Sequence, residues 1–280
     1  MARNSCEGVR LMSAIIGHAG LMLGGGYTPT DADAIAFMAR FTVPPNDTRK
    51  QDTDTLFLAL KSNSIWSLSD TIYVPKAAQD QQSGLLDLKR TAKAATLNGA
   101  ATWTSANGFV GSAAAGAFVN PDYVPATDAV NLALNNACYW MYVTALPSTA
   151  GKNYFGRIGG VAARATYITG DNAGKADAKI HSSAGNVGAA GNISANSLIC
   201  LQRTGSTTWA LYKDGVSLYT GTDTSGSLSE VGLFILALHN ANTPGTSTDN
   251  SDAKIGAWGA GSQMTTGQMS ALKAALDAYY

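Results

Sequence analysis

The stretch Trp209-Ala210-Leu211-Tyr212-Lys213-Asp214-Gly215-Val216-Ser217-Leu218-Tyr219 decides how this chain is read. Apolar residues alternate with others on both sides of Asp214-Gly215. A type I′ turn needs positive φ at both central positions, and Asp-Gly supplies it at little steric cost, so a two-residue β-hairpin is predicted here. Outward from it, residues 231–239 are almost wholly apolar and read as one continuous buried strand. A polar loop follows, and residues 253–259 read as a further strand. Residues 262–279 then carry Met269, Leu272, Leu276 and Tyr279 at helical spacing. A hairpin, a buried strand, a rim loop and a closing helix make up the end of a β-sandwich.

The same rhythm extends back to about residue 70. Strands are predicted over residues 71–74, 85–88, 100–103, 117–119, 137–145, 154–158, 163–169, 178–181 and 196–203, with Gly, Asn, Asp and Pro between them. Short strands at such spacing indicate a sandwich or barrel. Before them two short helices are expected. Thr30 is the expected N-cap of the first, with Asp31 and Asp33 in its first turn and Pro44-Pro45 ending it. The second runs from about Asp47 to Ser62-Asn63, with Leu56, Phe57 and Leu60 on its apolar side.

Leu11 to Leu23 contains no Asp, Glu, Lys or Arg, and Gly24-Gly25-Gly26 follows it. It is shorter than the roughly 20 residues a spanning helix needs. The reading is an apolar arm that attaches to a partner, with Leu11, Ile15, Ile16, Leu21 and Leu23 as its anchors, and neither a membrane span nor a cleaved leader. Buried side chains of this size contribute about 1.5–3 kcal/mol each, so a few anchors suffice.

Nineteen basic residues balance nineteen acidic ones, so no basic face for nucleic acid or anionic lipid is expected. Cys6, Cys138 and Cys200 include no CxxC pair, and the last two sit in apolar runs where a free thiol acts as a small hydrophobe.

Two blocks carry a family resemblance over roughly residues 30–280. One comprises Ala39-Arg40-Phe41-Thr42-Val43-Pro44-Pro45, Leu58-Ala59-Leu60-Lys61, Ile65-Trp66-Ser67-Leu68 and Leu85-Leu86-Asp87-Leu88-Lys89, then Trp103 and Gly108-Phe109. The other is the C-terminal block quoted above. Together they resemble the concanavalin A-like (laminin G-like) sandwich domains of structural proteins from tailed bacteriophages and prophages. The resemblance implies a mainly β chain with a jelly-roll sandwich, preceded by the arm and a short helical pair and closed by a C-terminal helix. The expected segments are an arm over 1–29, a helical neck over 30–69 and the sandwich over 70–280. It also implies a virion location, other virion proteins as partners, and a sandwich that faces outward with host-surface glycans as candidate ligands. A homo-oligomer is expected, with a trimer favoured by analogy. The rival readings are a capsid decoration or connector protein without a ligand, and a secreted carbohydrate-binding protein.

Catalysis finds little footing. Glycoside hydrolysis, a reaction sandwiches host, needs two facing carboxyl groups, yet the only glutamates are Glu7 and Glu230 and no strand carries paired aspartates. There is no G-x-S-x-G elbow, no HExxH and no His/Cys cluster, and His18, His181 and His239 are isolated. A non-enzymatic protein with no cofactor is therefore expected. The candidate ligand-binding residues are Asp171 and Asn172 in one oxygen-rich loop, and Asp249, Asn250 and Asp252 in another. Such loops supply the oxygen donors that calcium uses, although neither has EF-hand spacing. Trp209 and Trp258 are candidate sugar platforms, weighed against the commoner role of strand aromatics as core.

Overall fold

In a computed structural model, Asp214 and Gly215 take φ values of 52° and 84°. The strands they join, Thr208–Lys213 and Val216–Thr222, pair antiparallel as predicted. The structure describes residues 26–158, 165–170, 175–182, 187–242 and 245–280. The expected anchors Leu11, Ile15, Ile16, Leu21 and Leu23 lie outside these residues, as do Asp171 and Asn172.

In chain order the elements are α1 (Ala32–Met38), α2 (Asp47–Ser62), α3 (Ile65–Leu68), β1 (Ser69–Tyr73), α4 (Gln81–Gly84), β2 (Thr96–Asn98), β3 (Thr102–Thr104), β4 (Gly108–Val110), β5 (Phe118–Asn120) and α5 (Pro125–Asp128). Then come β6 (Ala137–Ala145), β7 (Lys152–Ile158), β8 (Ala165–Gly170), β9 (Lys175–Ser182), β10 (Val187–Asn192), β11 (Ser197–Arg203), β12 (Thr208–Lys213) and β13 (Val216–Thr222). The chain continues with β14 (Phe234–Ile235), β15 (Leu238–Asn240), β16 (Ser247–Thr248), β17 (Lys254–Gly261) and α6 (Thr266–Tyr279). One sheet has the order β13-β12-β11-β6-β17-β4-β3, and β1 pairs with the later half of β17. The second has the order β10-β9-β8-β7-β14-β5-β2, with β15 and β16 attached beside β7. Among the described pairings only β15 with β7 is parallel. The fold is a β-sandwich with a helical layer.

Strand β6 shows how the layers are built. Tyr139, Met141 and Val143 point between the sheets, while Cys138, Trp140 and Tyr142 face the helices. With both faces buried, the strand reads as a continuous apolar run. Gly259 on the neighbouring strand makes room for this packing, since a Cβ there would lie 2.4 Å from the Trp140 ring. Helix α6 starts on a capping box, in which Thr265 accepts from the Gln268 amide and Gln268 accepts from the Thr265 amide. Met269, Leu272, Leu276 and Tyr279 then bury against the first sheet and α2, as their spacing predicts.

Several expectations need correction. Residues 30–69 do not stand apart as a neck. Ala34, Phe37, Leu56, Phe57 and Leu60 share one core with Trp140, Cys200 and α6, and the expected boundary at 69/70 cuts through β1. The first helix is capped by Asp31, whose Oδ1 accepts from the Asp33 and Ala34 amides, and it ends at Met38 well before Pro44. Thr30 instead donates its amide and hydroxyl to Asp54. Residues 85–88 form no strand, because the Asp87 carboxylate captures the Thr71 hydroxyl and the amides of Ile72, Lys89 and Arg90. The apolar run 231–239 is broken at Leu236, which takes φ 67° and reverses the chain between β14 and β15. Its burial was legible, but its direction was not, because burial alone does not distinguish a strand from a buried turn.

No described helix is long and apolar enough to cross a membrane.

Candidate functional site

The loop leaving β6, the loop preceding β17 and the end of β8 meet around Asn153 at one end of the sandwich. The Asn153 Oδ1 accepts from the Thr169 hydroxyl at 2.6 Å, beside the end of β8. Its backbone amide donates to the Asp249 carbonyl at 3.3 Å, and its side-chain amide reaches the same oxygen at 3.4 Å. Asp249 and the end of β8, far apart in sequence, therefore share one buried side chain. Asn153 itself is buried. Sequence reasoning did not single it out, although an Asn at the second position of a strand, just after the turn at Gly151, is the available signal.

The candidate residues separate in role. Asp249 is exposed and takes φ 50°. Asp252 is half-buried, and its Oδ1 accepts from the Ser148 amide at 2.9 Å. Burial pushes the Asp252 carboxyl up, but the Ser148 hydrogen bonds and the nearby Lys152 ammonium outweigh it and hold the group below the usual carboxylate range. Asn250 is turned inward, where its amide donates to the Ala117 carbonyl at 2.5 Å and to the Ser247 hydroxyl at 2.8 Å. It holds the loop and is not presented to a ligand. Among the described residues no group of three His, Cys, Asp or Glu side chains converges as a metal site.

The other chemistry-bearing groups are committed to the scaffold. His181 is sealed between the sheets with Nδ1 on the Leu134 carbonyl at 3.1 Å and Nε2 on the Tyr139 hydroxyl at 2.9 Å. Because a carbonyl only accepts, Nδ1 carries the proton and Nε2 accepts from Tyr139. Burial lowers the imidazole to a pKa of about 4, although the bond to the Leu134 carbonyl opposes the shift, and the Arg203 guanidinium lowers it further. His239 uses Nδ1 on the Gly232 carbonyl and Nε2 on the Gly245 amide, while its ring stacks on Phe234 at 4.1 Å. Asp54 accepts from Tyr27, Thr30 and Asp31. Burial alone would raise the Asp54 carboxyl, but these donors hold it below the usual range. Asp70 serves Tyr123 and the amides of Asn131 and Leu132. Cys138 and Cys200 are free and buried, and burial beside Cys138 pushes the Cys200 thiol up. Trp209 and Trp258 lie in the inter-sheet core rather than on the surface.

What the rim offers is a set of surface hydrogen-bonding groups on a rigid frame: Asp249, Asp252 and Lys152 around a buried Asn153.

No family model and no curated protein matches this sequence. Solved structures do resemble the fold. Trypanosoma rangeli sialidase superposes with a TM-score of 0.53 at 12% identity, over 81% of this chain and 39% of that one. The botulinum neurotoxin serotype G binding domain gives 0.54 at 6%, over 73% and 50%. The receptor-binding domain of the botulinum neurotoxin C/D mosaic serotype gives 0.51 at 10%, over 75% and 51%. The match spans about two fifths of the sialidase chain and about half of each toxin chain. At such identity the likeness is one of fold.

Proposed function

We propose that this chain is a non-enzymatic structural protein of a tailed-phage virion, in a tail, fibre or surface appendage. Its sandwich faces outward and its rim contacts a host-surface glycan. The observation that carries the binding half is the junction at Asn153, which fixes the loop of Asp249 and Asp252 against the end of β8. A few convergent polar groups on a pre-formed surface are what orient a small polar ligand. The non-enzymatic half is supported by His181, His239, Asp54 and Asp70, each of which spends its hydrogen-bonding capacity on the scaffold. The virion half rests on the two sequence blocks quoted above, and attachment is assigned to the apolar N-terminal segment. Homo-oligomerisation, with a trimer favoured, belongs to the same reading. A calcium ion at this rim would need ligands beyond Asp249 and Asp252, since calcium takes six to eight oxygen donors.

Two measurements test it. Mass spectrometry of purified particles should detect the chain, and its absence from them would end the virion assignment. The full-length chain should bind a subset of glycans on an array, and Asp249→Ala with Asp252→Ala should weaken that binding at least about tenfold, about 1.4 kcal/mol, which the loss of one hydrogen bond to a charged carboxylate reaches. Absence of binding would favour a decoration or connector role, for which the half-exposed Ile35, Val43 and Leu58 on the helical layer are the supporting feature.

A further inference from the structure

A small cavity lies between α2, the loop that follows β1 and the last turn of α6, and Phe37, Phe57, Val74 and Leu88 make much of its wall apolar. Arg49, Thr53 and Gln79 interrupt that wall. Arg49 and Thr53 are one helical turn apart on α2 and so share a face. Thr53 is sealed, at 1% exposure, and its hydroxyl has no hydrogen-bond partner among the described residues. The same holds for two other buried atoms, Arg49 Nη1 and Gln79 Oε1. Asp52 lies 3.8 Å from Arg49 Nη1, an ion pair beyond hydrogen-bond length. Both long side chains are held in place. The Arg49 guanidinium stacks on the Tyr279 ring, 4.9 Å from its centroid. The Gln79 amide nitrogen donates to the Val43 carbonyl at 3.3 Å and the Pro44 carbonyl at 3.1 Å. Carbonyls only accept, so the nitrogen must face the loop after α1, and the oxygen is left for the cavity.

We propose that this cavity is a binding site for one water molecule, which accepts from Arg49 Nη1, donates to Gln79 Oε1 and bonds the Thr53 hydroxyl. Size and chemistry select it together. The space open to the centre of a water is about 10 Å³, which admits about one molecule and no organic ligand. The Gln79 oxygen repels an anion, and the guanidinium repels a cation. Only a small neutral molecule that both donates and accepts satisfies the two at once. Thr53, whose hydroxyl does either, supplies the third of the roughly three bonds that a buried water makes. The bonds run from α2 to the loop after β1, so the water joins the helical layer to the sandwich. Arg49, Ala78 and Gln79 also line an open cleft beside Thr48 and Ser105, which gives the water a way in.

Crystallography of the full-length chain, at a resolution that shows ordered waters, reads the site directly. A water peak within about 3 Å of Arg49 Nη1, Thr53 Oγ1 and Gln79 Oε1 is expected. A dry cavity, or a collapsed one with Nη1 bonded directly to Asp52 or Gln79, would overturn the proposal. In solution, magnetic relaxation dispersion of the water oxygen counts long-lived internal waters. Thr53→Val with Gln79→Leu should lose one of them relative to the parent, because Arg49 alone offers fewer than the two polar partners that such a water needs. An unchanged count in a double variant that still melts cooperatively would also overturn it. If the double variant does not fold, the crystallographic reading of the parent decides alone.

Discussion

Acidification should destabilise this protein in a window set by His181. In the folded chain the ring is sealed, with a pKa of about 4, whereas its ordinary value is 6.5. Between these two values the unfolded chain binds a proton that the folded chain refuses. Stability is therefore complete above about pH 6.5, falls as the pH drops toward 4, and loses nothing further from this group below that. Each pKa unit corresponds to about 1.4 kcal/mol, so the full loss is about 3 kcal/mol, of which about 2 kcal/mol appears between pH 7 and pH 5. The cause is legible in the contacts. Protonating Nε2 removes the acceptor for the Tyr139 hydroxyl and places a second cation near Arg203. Urea midpoints measured from pH 7.5 to 4.5 should show the decline, and His181→Asn should reduce it to the share left by His239, which burial also lowers, because Asn tolerates the φ of 49° and does not titrate. The carboxyls of Asp31, Asp54 and Asp252 are held below the usual carboxylate range by their hydrogen-bond donors and stay ionised through this window. If the variant keeps the same slope, or if NMR places the His181 titration near 6.5, the reasoning about burial is wrong.

Other substitutions probe separate links. Gly259→Ala should lower stability by about 1–3 kcal/mol through a clash with Trp140, read as a lower denaturant midpoint. Leu276→Asp should cost about 4 kcal/mol or more by burying a charge where α6 meets the first sheet, and should abolish cooperative melting by circular dichroism. Asp54→Ala should cost about 2–3 kcal/mol in thermal or chemical unfolding, because it strips the acceptor from Tyr27, Thr30 and Asp31 together. Residues 26–280 should melt cooperatively without the segment before them, whereas starting at residue 30 should lower the melting temperature by removing the Tyr27–Asp54 bond.

The parts of the fold that were legible are those where local chemistry and tertiary packing agree. Asp214-Gly215, the strand at 137–145 and the α6 stripe each state one structure at every level. The run 231–239 failed because nothing local marks Leu236 as a turn, its αL conformation being imposed by the bond from its amide to the Tyr154 carbonyl. Residues 85–88 failed because a single carboxylate, Asp87, replaced a ladder with side-chain acceptors. Strands β2, β4 and β16 are too short for periodicity to register, and β10, with Gly and Ala at its centre, lacks a β-branched signature. At the rim, composition pointed to the loop at 249–252 but could not tell which side chain faces out. Asn250 turns inward because Ala117, 133 residues away in sequence, offers a carbonyl there.

The central strands of the first sheet have no free face, and this sets the size of the smallest transferable unit. A gene segment cut at residue 70 would carry the strands and α6 yet strip Ala34, Phe37, Leu56, Phe57, Leu60 and Ile65 from the core they share with the sheet, opening an apolar area of the kind that drives aggregation. Recombination that moves this module between proteins is thus constrained to carry the helices along. Joints in fused or mosaic chains should fall before Tyr27, where the Gly-rich tether tolerates a new neighbour, and not at the helix-to-strand border that composition alone suggests.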